Sequence, residues 1–351
     1  MSLLKFIKTK AVLFLPFPFL FRIRRLREKI RLIVNPPNKN ARLPKSAIID
    51  VASVCNLKCP LCPTGAVKLK LKKGYMTLSD FKKVLDKLEF IDLVTLSNWG
   101  EALLNPEIID IIKYARSNGK IVSIHSNLSF NYSENFFNRL VRSGLEKLTV
   151  SLDGVSQENY SKYRRSGNYD LVIKNIVKLV EAKKNLKKRN PRIIWKFLVN
   201  KYNESEIGKA KKLAKELKIG FLVDHIRLAD IYPDSDLGKN NNALRNKWLA
   251  TDDIYVHKMY KKEKQFPLYD TICTQLFESP VINVDGSVFP CCFLTDQKNS
   301  FGNILTQDFD DIWYNDKYES SRSLFVKKKN NSGPIEKTIC FDCENFKKLE
   351  E

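Results

Sequence analysis

Apolar and polar positions in this chain alternate between two periods. Apolar runs of strand length recur at Ser46–Ala52, Ile91–Ser97, Ile121–His125, Lys147–Leu152, Arg192–Val199 and Phe221–Ile226. Between them lie stretches with helical spacing: Leu78–Leu88, Pro106–Arg116, Ser133–Arg142, Tyr169–Lys184 and Glu204–Leu217. Strand and helix patterns in strict alternation predict parallel βα units. Pro106 in the first turn and Asn118-Gly119 at the close bound one of these helices. Residues 46–226 hold six such units, short of the ~250 residues typical of a complete eight-fold barrel. The expected fold is therefore α/β, a partial (β/α)6 barrel.

Outside this span the pattern changes. Residues 227–270 are irregular, with turn-forming Tyr232-Pro233-Asp234-Ser235-Asp236 and Lys239-Asn240-Asn241-Asn242, and read as a bridge between domains. Residues 271–351 form a small Cys-rich domain in which Asp285-Gly286 signals a hairpin running to Cys291. Residues 1–45 are an arm in two parts. Ala11–Phe21 is apolar, but it is too short to span a bilayer and is broken by Pro16 and Pro18. Arg22, Arg24 and Arg25 follow with no small-residue cleavage site, which argues against a secretory signal. Arg22–Val34 sets Ile23, Leu26, Ile30 and Ile33 at helical spacing beside a basic face. That stretch suits two placements equally: an anionic membrane surface, or a helix packed on the barrel with its Arg stems over apolar surface.

Composition adds constraints. At 351 residues and 43% hydrophobic, the chain can bury a substantial core. Its net charge is +22, and half of it sits in the arm, where twelve Lys or Arg face Glu28 alone. The remainder is spread over helices, as at Lys183–Arg189, where solvated faces account for it. Aromatic residues do not interleave with the basic runs and no nucleic-acid-binding signature is present, so nucleic acid is not the expected partner. The eight cysteines are clustered, which in a chain of this length reads as metal ligation in a reducing compartment. A cytoplasmic location follows, peripheral to the inner membrane face if the arm binds lipid.

The chemistry is concentrated in two groups of thiols. Cys55, Cys59 and Cys62 are spaced C-x3-C-x2-C in a loop shaped by Pro60 and Pro63, directly after the first strand. Three thiolates on a four-iron cluster leave one iron open. A structural zinc site, which wants four ligands, and three unrelated buried thiols are the competing readings. Near the C-terminus, Cys273, Cys291, Cys340 and Cys343 make a set of four, with Cys292 in excess. Spacing alone leaves that set as a zinc site or a second iron–sulfur cluster. Cys292 reads as a packed small hydrophobe, with replacement of Cys291 or a position facing substrate as lesser options.

The first motif resembles the signature of the radical SAM superfamily, in which the open iron binds the amino and carboxylate groups of S-adenosylmethionine. Asn98-Trp99-Gly100-Glu101-Ala102, after the second strand, resembles the family's Gly-Glu-Pro segment, with Ala102 in place of the proline. That likeness implies Gly100 and Glu101 as partners of the methionine amino group. Ser126, Asn127 and Ser151 follow later strands, where they suit a ribose and a carboxylate as well as they suit turns and caps. Arg164 resembles the arginine that pairs with the methionine carboxylate. Asp153 reads equally as a turn residue, and His125, His225 and His257 as structural. The C-terminal layout is similar to a shortened SPASM ("twitch") domain, which implies one auxiliary [4Fe–4S] cluster on Cys273, Cys291, Cys340 and Cys343.

The resemblance implies an oxidoreductase in which a 5′-deoxyadenosyl radical attacks an unactivated C–H bond. The substrate expected in twitch relatives is a sugar or cyclitol whose hydroxyl becomes a ketone. A saturated second cluster suits electron transfer, and a reducing partner such as flavodoxin or ferredoxin is implied. The alternatives are a peptide-modifying SPASM maturase, an epimerase using Cys292 as hydrogen donor, and a non-catalytic iron–sulfur electron carrier. The cofactor equipment of Glu101, Ser151 and Arg164 argues against the last.

Overall fold

A computed structural model describes residues 42–66, 68–228, 232–234, 242–256, 273–325 and 336–343. The arm up to residue 41, most of the bridge and His257 lie outside the described residues. Among the described residues no helix is long and apolar enough to cross a membrane.

All six expected strands form: β1 (Ser46–Ile49), β2 (Leu93–Thr95), β3 (Ile121–Ser126), β4 (Lys147–Ser151), β5 (Arg192–Val199) and β6 (Gly220–His225). They pair in parallel, each with the next in sequence. An order without reversal means that every crossover winds the same way, as in a barrel and unlike a doubly wound sheet. The sheet stays open at β6, as expected for a partial (β/α)6 barrel.

The helices follow from periodicity and caps. α1 (Leu78–Asp86) is capped by Thr77, whose hydroxyl accepts the Asp80 N–H. α2 (Ile108–Ser117) ends at Asn118 and Gly119, as the sequence predicts. α3 spans Phe136–Arg142. Sequence periodicity missed α4 (Gln157–Tyr163), a short polar helix that terminates at Arg164. α5 (Tyr169–Asn185) buries Val172, Asn175, Ile176, Leu179 and Ala182 on one face. α6 (Ile207–Glu216) follows a 3-10 turn over Glu204–Glu206.

Strand β5 shows how the sheet divides its faces. Ile193, Trp195, Phe197 and Val199 are buried in the main core with the helices, while Arg192, Ile194, Lys196 and Leu198 on the other face are only partly buried. Paired residues share a face, so register carries this second, concave face across the sheet. It joins Ser123, Lys147 and Arg192, then His125, Thr149 and Ile194, then Ser151, Lys196 and Leu222.

The C-terminal residues extend the same sheet. β7 (Val281–Ile282) pairs in parallel with β1, then β8 (Ser287–Phe289) and β9 (Gly302–Asn303) continue antiparallel. The expected hairpin is present, with Gly286 at φ +80, a left-handed conformation that favours glycine. Asp234, from the bridge, accepts backbone N–H groups of Thr295 and Asp296 and the side-chain amide of Asn299. The bridge is thereby fastened to the Cys-rich domain.

Candidate functional site

The loop after β1 carries Cys55, Cys59 and Cys62, and the next strand's loop is pressed against it. Asp50, at the end of β1, is buried and accepts the N–H groups of Asn98 at 3.0 Å and Trp99 at 3.1 Å. Burial pushes its carboxyl up to about 7, against the pull of those N–H groups. Glu101 N–H donates to the Val54 carbonyl at 2.9 Å. A Cβ at Gly100 would lie 1.9 Å from the Ala52 carbonyl oxygen, so only glycine permits this approach.

Glu101 lies at the centre of the arrangement. Its carboxylate accepts the Asn127 N–H at 2.6 Å and the Leu103 N–H at 3.2 Å. Burial raises its pKa, while Asn127, Ser126, Leu103 and Arg164 act to lower it. Asn127 also donates to Asn56 Oδ1 at 3.0 Å and reaches Cys55 Sγ at 3.7 Å. Ser126 Oγ accepts the Leu128 N–H. These bonds draw Gly100, Glu101, Ser126 and Asn127 into one buried group beside the thiols. Ser151 ends β4 on the concave face, in register with Lys196.

Arg164 reaches the thiols from the end of α4. Its Nε donates to Asp153 Oδ2 at 2.5 Å and its Nη1 lies 3.9 Å from Cys59 Sγ. Asp153 is fully buried and its second oxygen accepts the Leu198 N–H at 2.8 Å. Asp153 is thus the brace of Arg164, a role that a turn assignment did not foresee.

The three thiols suit coordination better than nucleophilic attack. Burial pushes Cys55 up to about 12 and Cys59 up to about 11, so neither is a free thiolate at neutral pH. Cys55 feels the charge of Cys59 and Cys62, Cys59 feels that of Cys62, and the Leu57 N–H points to Cys55 Sγ at 3.4 Å. Buried thiols clustered with N–H donors and a guanidinium fit an iron–sulfur cluster, which takes the thiolates and compensates their charge. The neighbouring carboxylate and guanidinium fit the amino and carboxylate groups of a bound amino acid.

The C-terminal thiols also converge. Cys273, raised to about 12 by burial, interacts with Cys340, Cys343 and Cys292, and Cys291 interacts with Cys273. The Phe293 N–H lies 3.4 Å from Cys291 Sγ, and the Cys343 N–H donates to the Cys340 carbonyl. Cys292 shares a hydrogen bond with Cys291, which raises Cys291 and lowers Cys292. It belongs to this group as well as packing beside Leu69, Trp99 and Phe289. Among the described residues no three His, Cys, Asp or Glu side chains gather as for a single metal ion. Tyr232 links the two groups, its ring 5.6 Å from Trp99 and 6.2 Å from Phe293.

Three residues on the concave face were not singled out by sequence. Lys196 pairs with Asp224 at 3.8 Å. His125 is reachable by water yet hemmed in by protein, the condition of a side chain in a hollow. Burial, then Lys196 and Lys147, push it down to about 3, so it stays neutral. Strand parity with Ser123 and Ser151 was the signal that could have found them.

Family models match both thiol-bearing parts of the chain. A model of the radical SAM superfamily matches residues 49–214, and one of an iron–sulfur cluster-binding (SPASM) domain matches residues 273–344. The AdoMet-dependent heme synthase of Methanosarcina barkeri (strain Fusaro / DSM 804) is 24% identical over 302 residues, covering 78% of this chain and 82% of that one. The GTP 3',8-cyclase of Desulforamulus reducens is 24% identical over 225 residues, so the chain spans 64% of that relative's length and 64% of its own. Among solved structures, Streptococcus suis SuiB bound to S-adenosylmethionine has a TM-score of 0.61 at 17% identity, over 87% of this chain and 72% of that one. Native anSMEcpe with bound AdoMet has a TM-score of 0.57 at 16% identity, over 86% of this chain and 96% of that one. At these identities the solved structures speak to fold.

Proposed function

The chain belongs to the radical SAM superfamily, with a C-terminal SPASM domain, and from that premise we propose that it oxidises a small polar substrate, converting an alcohol to a ketone. Its cofactors are S-adenosylmethionine and [4Fe–4S] clusters. When bound, they supply a 5′-deoxyadenosyl radical able to take hydrogen from an unactivated carbon, chemistry that belongs to the cofactor and leaves orientation to the protein.

The residues divide that work. Cys55, Cys59 and Cys62 would hold the first cluster, and Cys273, Cys291, Cys340 and Cys343 the second. Glu101 would accept from the methionine ammonium, and Arg164, steadied by Asp153, would donate to its carboxylate. Ser126 and Asn127 fix the Glu101 carboxylate, and Ser151 would border the ribose or substrate. On the concave face, Lys196, Asp224, His125 and Thr149 offer donors and acceptors to a polyhydroxylated ligand.

The observation that carries the oxidative reading is the convergence of four C-terminal thiols, which would leave the second cluster saturated and suited to accepting an electron. The test is product mass in deuterated solvent. Oxidation loses two hydrogens. Epimerisation gains one deuterium with no change in oxidation state. Cys292→Ala should retain oxidase turnover. Loss of turnover in that variant with a redox-neutral product would overturn the reading.

A further inference from the structure

The thiol loop also rests on an apolar group that reaches the surface. Leu57, Cys59 and Leu61 pack there with Tyr163, Ile226, Leu228 and Trp248, and Cys55, Cys62 and Tyr202 lie against them. The Trp248 ring meets Tyr163 edge-on at 5.4 Å and Tyr202 at 5.5 Å. Beyond Trp248 opens a hollow of about 410 Å³ lined by Ser161, Lys162, Arg165, Tyr202, Lys247 and Trp248.

Half of that lining is cationic. Lys162 stands 5.3 Å over the Tyr202 ring and Lys247 5.9 Å over Trp248. The Arg165 carbonyl accepts the N–H of exposed Lys58 at 2.9 Å, which sets Lys58 beside the rim. Lys201 is anchored nearby, its Nζ donating to the Asn246 carbonyl at 3.3 Å. Glu158 answers this charge in part, pairing with Lys162 at 3.4 Å. The patch remains basic, and its aromatic floor leads to the thiol loop through two rings.

We propose that this basic hollow is the docking surface for an acidic one-electron carrier protein, and that Trp248 and Tyr163 lie between the carrier's cofactor and the cluster on Cys55, Cys59 and Cys62. The inference rests on the assignment of those thiols made above. In each transfer the carrier's reduced flavin loses one electron, passing from hydroquinone to semiquinone, and the cluster gains it. No bond is made or broken. Complementary charge would act mainly on the rate of encounter, which it can raise by 10–10³ and which salt reverses.

The experiment uses the full-length, cluster-loaded protein and an acidic flavodoxin as the probe. Its readouts are the affinity for oxidised flavodoxin and the stopped-flow rate of cluster reduction by flavodoxin hydroquinone, with the dithionite-driven rate as the control. In Lys162→Glu/Lys247→Glu, affinity and flavodoxin-driven rate should fall at least about tenfold. Iron content and the dithionite-driven rate should be unchanged. Raising salt should slow the wild type toward the variant. The exposed single variant Lys247→Glu should show a smaller loss in the same direction. Equal flavodoxin rates in wild type and variant would overturn the proposal, as would a parallel fall with both reductants. If the wild type holds no cluster that dithionite reduces, the assignment of the thiols fails instead.

Discussion

Arg164 is held by Asp153 at 2.5 Å with its Nη1 3.9 Å from Cys59 Sγ, so one buried ion pair fixes where the guanidinium meets the thiol loop. Asp153→Asn leaves a charge buried without its counter-ion, for which breaking a buried pair costs about 3 kcal/mol. Chemical denaturation should show that loss. Equilibrium binding of S-adenosylmethionine to the loaded protein should weaken about tenfold, since a carboxylate clamp that wanders loses its orientation. Undiminished affinity would remove Arg164 from the cofactor site.

Gly100→Ala should be more damaging than its single methyl suggests. The new Cβ would meet the Ala52 and Val54 carbonyls, both backbone atoms that cannot turn aside. An overpacking cost of about 3 kcal/mol is expected. Because Glu101 hangs from Val54 through its own N–H, the displaced loop should also lower iron occupancy at the first site. Normal iron content and normal stability would contradict the close approach.

Asp50 makes a signed prediction about pH. Its folded pKa is raised from 3.8 to about 7, so the folded state holds a proton that the unfolded chain releases. That contribution is fully present below pH 3.8 and is lost as pH rises through about 7. Asp50→Asn lacks the titration. The stability advantage of wild type over this variant, read from unfolding curves between pH 5 and 8, should therefore shrink as pH rises. An advantage that grows with pH would reverse the argument.

Lys196→Met should separate substrate from cofactor. The concave face loses a cation and Asp224 loses its partner. Substrate-independent cleavage of S-adenosylmethionine should persist, while KM for a polar substrate rises about tenfold, the value of one charged hydrogen bond. An unchanged KM would take Lys196 out of the substrate site.

Much of this was legible before any coordinates. Strands with one face in the core and a largely apolar sequence write themselves as apolar or alternating runs, which is why β3 and β5 were bounded almost to the residue. The C-x3-C-x2-C loop and Glu101 stood out in the sequence because their spacing is local, and the fold sets them side by side. Helix α4 was not, since Gln157–Tyr163 is polar and only Tyr160 and Tyr163 of it are buried. Missing it hid Asp153's role, because Asp153 and Arg164 meet only when α4 turns the chain back. The two-residue strand β7 carries no periodicity and owes its place to pairing with β1, more than 200 residues earlier. His125 and Lys196 escaped because a polar residue facing a hollow looks, in sequence, like one facing solvent.

The central claim is that this chain holds two four-iron clusters on two separate sets of thiols, and anaerobic iron and acid-labile sulfide analysis tests it most directly. The full chain should bind about eight irons, and Cys55→Ala/Cys59→Ala/Cys62→Ala should keep about four. About four irons in the wild type, or stoichiometric zinc that stays bound when the three N-terminal thiols are removed, would contradict it.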